Sequence, residues 1–396
     1  MRPSPEAPRT PALRRLAATA LGAGLLACPL PATAGPAAPP APPASLAPAA
    51  SAPATVATAP AAASYDVQQR RRNARGPAVG VQFHGMWSSY SDPEREEVLD
   101  RLVEMGAGWV RLDMSWSMIQ PTAGRIDPQG WGVRFVDRVV GMAADRGLKV
   151  LATFWLTPDW ADPEAGARSL PADPRDYGRA LAWAAERWQG EVDAWEVWNE
   201  PNSEDFLAGA DAAAYADLLC AGYDAVQASA ARGTDVVFGG TMHNDSTWIE
   251  AAYDAGAGDC FDVLATHPYQ SPSDTGPMSG SGEAHWEFSH LGEVRDLMRR
   301  HGDRRPVWVT EFGWSSHRDR GDEQPWERGV SKRQQADFTV AALEALRTRF
   351  PFVRKAFLYN ERARTDAGRH MKGYGLMTNG IKPKPVYRAV QAWTGR

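Results

Sequence analysis

Two glutamates sit where carboxyl chemistry could be done. Glu200 lies in "WEVWNEPN", residues 195 to 202, and Glu311 in "VWVTEF", each an apolar, strand-like run with an acid near its end. Two carboxyl groups about 5 Å apart suit cleavage of a glycosidic bond with retention: one gives a proton to the leaving oxygen, the other attacks the anomeric carbon. Either acid alone could instead pair with a basic neighbour such as Arg111. Two acids in matched contexts favour joint use.

Such a pair needs a frame that brings distant segments to one place. Short β-branched or aromatic runs recur, each followed by a stretch with helical apolar spacing: "AVGVQF", "GWVRLDM", "LKVLATFW", "VDAWEVW", "DVVFGG", "FDVLATH", "PVWVTEF" and "VRKAFLYN". Strand alternating with helix implies parallel strands with crossover helices, and eight units predict a closed (β/α)8 TIM barrel forming a single catalytic domain over 76–396. The first helix should be capped by Asp92, with Pro93 in its first turn and Gly106 at its end; Ser331 and Gln334 suit a capping box farther on. Two loops, "PYQSPSDTGPMSGSGEAHWEF" and "GWSSHRDRGDEQPWERG", exceed what connections need, and length at that end of a barrel serves a binding site.

In a barrel of this kind, residues at the C-terminal ends of the strands meet at one mouth. Those ends carry His84, Arg111, Asp113, Asn199, Glu200, His267, Tyr269, Glu311 and Asn360, with Trp87, Trp116, Trp155, Trp160, Trp198 and Trp314 among them. Any single tryptophan could be core packing, but grouped ring faces suit the C–H faces of a sugar. Glu196 and Asp113 lie inside strands, where a charge must be paired, and read as an internal network beneath the site. Asn199 and Glu200 are adjacent, so both reach the mouth only if strand alternation breaks there; Pro201 then ends the strand.

"WEVWNEPN" and "VWVTEFGW" resemble the strand-four and strand-seven signatures of clan A, the retaining glycosidases on (β/α)8 barrels. "VRLDMSWSMIQPTAG", "LATHPY" and "GLMTNGIKPKPVYRAVQAW" extend the likeness to the pattern of families 39 and 5, from about Gly76 to the C terminus. The resemblance implies Glu200 as acid/base and Glu311 as nucleophile, Asn199 on the sugar 2-hydroxyl, and Arg111 holding Glu311 ionised. It places His267 and Tyr269 in a His-x-Tyr element, with the phenol beside the nucleophile, and His84 at a sugar-contacting position. Trp155, Trp314 and Tyr359 complete the expected substrate-binding set. Relatives carry a tryptophan beneath the cleavage-point sugar on strand eight, where "AFLYNERA" offers Leu358, followed by Tyr359 and Asn360. The floor of that subsite therefore departs from the pattern.

The remaining sequence bounds where and on what such a site would act. Residues 1–34 read as a signal peptide: Arg14 and Arg15, an apolar run, and "ATA" ending at Ala34. "LLAC" also fits a loose lipobox, which would anchor the chain by lipid at Cys28, and the arginine pair fits a twin-arginine signal. Residues 35–75 form an Ala/Pro-rich linker ending in "RRRNAR". A secreted or periplasmic chain, free or anchored to the envelope, is the expectation. Loss of the leader removes four arginines and Glu6, taking formal charge from -5 to -8, and a mildly acidic body without a basic stripe argues against nucleic acid. No run is long enough to span a membrane, no Cys/His spacing suggests a metal, and no cofactor is expected. Cys220 and Cys260 could pair or stay separate thiols. The expected partner is a polysaccharide or oligosaccharide. An envelope-glycan transglycosylase and a non-catalytic glycan-binding protein are the rival readings of the same scaffold.

Overall fold

The computed structural model describes residues 76–162, 166–364 and 367–395; the leader and most of the linker expected from the sequence lie outside them. Nine parallel segments form one curled sheet: β1 (Ala78–Gln82), β2 (Trp109–Ser115), β3 (Lys149–Trp155), β4 (Ala194–Val197), β5 (Asp235–Phe238), β6 (Thr241–Met242), β7 (Leu264–His267), β8 (Val307–Phe312) and β9 (Val353–Leu358), in the order β5-β4-β3-β2-β1-β9-β8-β7-β6. β5 and β6 are the fifth expected strand in two pieces, so labels from β7 on run one ahead of the unit count. A parallel bridge from Val237 to Val263 and the Phe238 N–H donating to the Val263 carbonyl at 2.9 Å close the ring. The architecture is the (β/α)8 barrel.

The break falls at Gly239 and Gly240, and close packing explains it. A Cβ on Gly239 would lie 2.4 Å from the Val197 carbonyl oxygen, and one on Gly240 would lie 2.2 Å from His267 Nε2. Only glycine lets this backbone approach β4 and β7 so closely.

Parallel strands require crossovers, and the helices that supply them start as their sequences dictate, with one shift. Ser91, not Asp92, caps the first helix, Asp92–Met105: its hydroxyl accepts from the Glu94 amide while Glu94 returns to the Ser91 amide. Asp92 instead sits in the first turn, where its charge favours the helix dipole and pairs with Arg95. Gly106, at φ 90°, ends the helix, and the Ser331 and Gln334 capping box opens Lys332–Thr348.

Strand alternation sorts the barrel interior into tiers. At the base Trp109, Leu151, Ala194, Val237, Ala265, Trp308 and Phe357 form an apolar cluster. Two residues along the same strands lie Arg111, Thr153, Glu196 and Thr310, all fully buried, with His267 beside them. The next residues of that parity, Asp113, Trp155 and Tyr359, reach the mouth. A polar tier thus rests on a dry floor and supports the strand ends.

Cys220 and Cys260 form a disulfide, Cα atoms 4.8 Å apart, joining helix Ala212–Ala228 to the turn after Ala257–Asp259. Among the described residues, no helix is long and apolar enough to cross a membrane.

Candidate active site

At the end of β4, Trp198 and Glu200 take φ values of 71° and 45°, a left-handed region that residues other than glycine rarely occupy. This breaks the alternation that would have sent adjacent Asn199 and Glu200 to opposite faces. The turn is held by the Glu200 amide, which donates to the Gly240 carbonyl at 3.0 Å. β8 solves the same problem differently. Its register against β9 shifts between Val309 and Phe312, so neighbours Thr310 and Glu311 both reach inward, one to His267 and one to Arg111.

The two glutamates meet there. Donor oxygens of Glu200 and Glu311 lie within 4.8 Å of each other, within the separation that double displacement uses. Arg111 beneath them is fully buried and makes four hydrogen bonds: Nε to Glu196 at 2.6 Å, Nη1 to Glu311 at 2.6 Å and to Gln82 at 2.8 Å, and Nη2 to Asn199 Oδ1 at 2.7 Å. Glu196 also accepts from Thr153 Oγ1 at 2.6 Å and from the Gly240 amide at 3.2 Å. Its carboxylate therefore belongs to the framework, as its place inside a strand suggests. Gln82 passes the network on to Asp113 at 2.9 Å. Because Arg111 can only donate, Asn199 must present Oδ1 to it, which turns the amide nitrogen into the part available for an acceptor above.

The electrostatics of the two acids differ. Burial, then the charge of Glu311, pushes the Glu200 carboxyl well above its usual range, with Arg111 opposing from a distance. Burial also raises Glu311, which the sequence alone does not foresee, but direct contact with Arg111 and a hydrogen bond from the Tyr269 hydroxyl at 2.9 Å pull it back. The pair holds its proton on Glu200 and its negative charge on Glu311, where the cation is.

His267 buttresses Glu200: Nδ1 lies 2.8 Å from Glu200 Oε1 and Nε2 3.0 Å from Thr310 Oγ1. Burial and the nearby Arg111 hold this imidazole neutral, well below its ordinary value. Glu200, His267 and Glu311 offer donors close enough to hold a metal ion, yet Arg111 already supplies the positive charge at Glu311, and both His267 nitrogens are engaged.

Tyr269 and Tyr359 stand edge to face, ring centres 6.3 Å apart, and both meet Tyr374 at 5.8 and 5.6 Å. Of the strand-eight residues in question, Tyr359 thus stands beside Tyr269, the partner of Glu311, whereas Leu358 is buried in the core. His84 is buried beside Glu361, Nδ1 to Oε2 at 3.0 Å, with the Tyr90 hydroxyl donating to the other oxygen. Its ring lies 4.1 Å from Trp87 and 5.6 Å from Tyr359. Trp155 ends β3 with its indole nitrogen buried and without a protein hydrogen-bond partner.

Trp314 is a correction. It is 2% exposed, packs on Phe288 and Phe338, and donates to the Thr275 carbonyl at 2.8 Å, leaving no free face for a sugar. Trp116 and Trp198 are likewise core. Conversely, Glu361, Tyr90 and Tyr374 escaped sequence reasoning. Glu361 follows Asn360 directly and carried a signal, a lone acid just beyond a strand end; Tyr90 lies in a loop and Tyr374 ends the short helix Arg369–Tyr374, neither with a pattern that marks it.

Barrel, paired buried glutamates and arginine hub together match the pattern of the clan A retaining glycosidases. Residues 72–345 match Cellulase (glycosyl hydrolase family 5), and the chain belongs to that family. Over 114 residues it is 32% identical to Beta-glucosidase 1B of Phanerodontia chrysosporium, covering 27% of this chain and only 20% of that protein. Among solved structures it is similar to a GH5_18 enzyme from Streptomyces cattleya in complex with GlcNAc (20% identity, TM-score 0.61, 81% of this chain and 80% of that one). It is also similar to a family 39 glycoside hydrolase from Bacteroides cellulosilyticus WH2 (20% identity, TM-score 0.60, 81% and 64%). At such identities the two structures speak to the fold.

Proposed function

We propose that the protein is an exported retaining glycoside hydrolase that cuts a polysaccharide by double displacement. Glu311 attacks the anomeric carbon as Glu200 protonates the departing oxygen, giving a glycosyl ester on Glu311. Glu200, now ionised, takes a proton from water as that water attacks the same carbon, and Glu311 leaves. Asn199 Nδ2 donates to the sugar 2-hydroxyl, a bond that tightens as positive charge grows on the ring, while Tyr269, Tyr359 and His84 line the subsite. The observation that carries this reading is the asymmetry of the pair: oxygens within 4.8 Å, with Arg111 bound to Glu311 alone.

A polymer is favoured by Trp286 and Trp326, 46% and 53% exposed, which ride on the two long loops after β7 and β8 and offer flat faces suited to further sugar units. Export is favoured by the leader pattern and by the Cys220–Cys260 disulfide, a bond that persists in oxidising compartments. Lipid attachment at Cys28 is a second form of the same route.

The test is a glycan panel assayed with wild type and Glu311→Ala, followed by NMR of the first product anomer. Retained configuration, loss of hydrolysis in the variant and a labelled Glu311 peptide with a slow fluoroglycoside are expected. An inverted first product, or near-normal turnover by Glu311→Ala, would sink the assignment. Transfer to added sugar acceptors in preference to water would make it a transglycosylase, and tight binding without turnover a glycan-binding protein.

A further inference from the structure

The long loop between β8 and Lys332–Thr348 carries a second cluster, apart from the paired glutamates. His317, Asp319 and Glu323 each offer a donor atom, all within 4.8 Å of one another. His317 and Glu323 are 5% and 6% exposed at the side chain.

The hydrogen-bond pattern fixes which way the imidazole faces. The Ser315 hydroxyl has one proton and donates it to the His370 carbonyl, which can only accept. The contact of 2.9 Å between Ser315 Oγ and His317 Nδ1 must therefore be donated by the imidazole. With its hydrogen on Nδ1, a neutral His317 turns a lone pair outward at Nε2. That nitrogen is buried, has no hydrogen-bond partner, and faces Asp319 Oδ1 at 3.5 Å.

An Nε2 lone pair 3.5 Å from a carboxylate oxygen, with a second carboxylate alongside, sets three acceptors together with no donor among them. Arg369 answers part of this by pairing with Glu323 Oε1, and backbone amides of Arg320, Gly321 and Gly329 reach the two acids. The Gly329 amide meets Asp319 Oδ1 itself, at 2.7 Å, but none of these donors is a partner for Nε2, which has none. The His317–Asp319 edge has the spacing of two ligands on one cation: zinc bonds of about 2.0–2.2 Å put two donors of one tetrahedral ion ~3.4 Å apart, close to the 3.5 Å observed, with the Glu323 donor within 4.8 Å of both. One imidazole nitrogen with two carboxylates suits zinc-like divalent ions better than magnesium or calcium.

We propose that His317, Asp319 and Glu323 bind a divalent transition-metal ion that clamps the loop after β8. The clamp acts on the mouth through short links. Ser316 N donates to the Gly373 carbonyl at 3.0 Å and Arg369 to the Arg318 carbonyl at 2.8 Å, so loop and helix Arg369–Tyr374 move together, and Tyr374 at its end packs on Tyr269 and Tyr359. The spacing of these residues in the sequence matches no metal motif, since the site is made by the loop's return and not by a repeat. This binding is independent of whether Glu200 and Glu311 turn over a glycan.

The full chain, stripped with chelator, is titrated with Zn2+ by calorimetry, and its metal content is measured after dialysis. One ion per chain and a Tm rise of about 4 °C or more at saturating metal are expected. His317→Ala and Asp319→Asn should each weaken binding by on the order of 100-fold. Asp319 is 36% exposed at the side chain, so the metal-free Tm of Asp319→Asn should match that of metal-free wild type, separating lost binding from lost folding. Glu200→Gln is the control for the other cluster and should bind as wild type does. No stoichiometric binding, binding untouched by Asp319→Asn, or binding abolished by Glu200→Gln would each overturn the proposal.

Discussion

Arg111 Nη1 lies 2.6 Å from Glu311 Oε1 and the same guanidinium lies 2.6 Å from Glu196 through Nε, both contacts out of water. One cation thus serves two carboxylates, and its other donors fix Gln82 and Asn199. The planar fork allows this. An ammonium is a single point with three donors on a flexible stem and cannot hold all four acceptors in one geometry.

Arg111→Lys should therefore fail despite conserving charge. A fall in kcat/KM on the order of 10²–10³ is expected on a confirmed substrate, with the acidic limb of the pH profile moved upward because the shorter, single-point ammonium does not reproduce the 2.6 Å Nη1 contact that holds Glu311 ionised. Breaking a buried pair also costs about 3–5 kcal/mol, measurable by urea unfolding. A variant with wild-type stability and an unmoved acidic limb would show that the hub is not what holds Glu311 ionised.

Tyr269→Phe isolates a smaller piece of the same control. Its hydroxyl donates to Glu311 Oε2 at 2.9 Å and lowers that carboxyl's pKa. A hydrogen bond to a charged group is worth about 1.5–3 kcal/mol, so the acidic limb of kcat/KM should rise by about one pH unit while the basic limb stays in place. Movement of the basic limb instead would tie the phenol to Glu200.

Glu200→Gln should remove the basic limb and lower kcat by about 10²–10⁴ with a poor leaving group. It should also stabilise the fold. Burial raises the folded-state pKa of Glu200 above the ordinary 4.5, so between 4.5 and the folded value the native chain holds a proton that the unfolded chain has lost. Stability from this group is present below 4.5 and declines as pH rises through that window. The variant does not titrate there. Its Tm should exceed that of wild type at pH 7, with the gap closing near pH 4; equal melting curves at both pH values would contradict the burial argument.

How much of this was legible beforehand follows from what each feature depends on. The strands around Glu200 and Glu311 were readable because a parallel barrel strand is a short apolar run and its mouth residues come at its end. Glu196 could be assigned to the framework because a charge inside such a run needs a partner. Trp314 was misplaced because strand end and barrel mouth are not the same thing one or two residues on: past Glu311 the chain turns outward and the indole lands between Phe288 and Phe338. The first helix cap moved from Asp92 to Ser91 because both residue types can cap and only the reciprocal bond with Glu94 decides. Tyr90 meets Glu361 from 271 residues away, a proximity that no local pattern encodes.

That last meeting supplies a prediction apart from the paired glutamates. Glu361 is fully buried, and His84 is the cation facing it at 3.0 Å. Burial works against charge on both, yet Glu361 ends below its ordinary 4.5, held down by His84 and Tyr90, and His84 ends above 6.5, held up by Glu361. The histidine's contribution is complete below 6.5 and fades as pH rises through its folded value; the glutamate's is complete above 4.5 and fades as pH falls through its own. His84→Ala leaves the carboxylate without its cation, an expected loss of about 3–5 kcal/mol. Urea unfolding across pH should show the widest gap between wild type and variant from 4.5 to 6.5, narrowing on both sides. A gap independent of pH would mean that His84 serves by packing on Trp87 and Tyr359, with no charge on its ring.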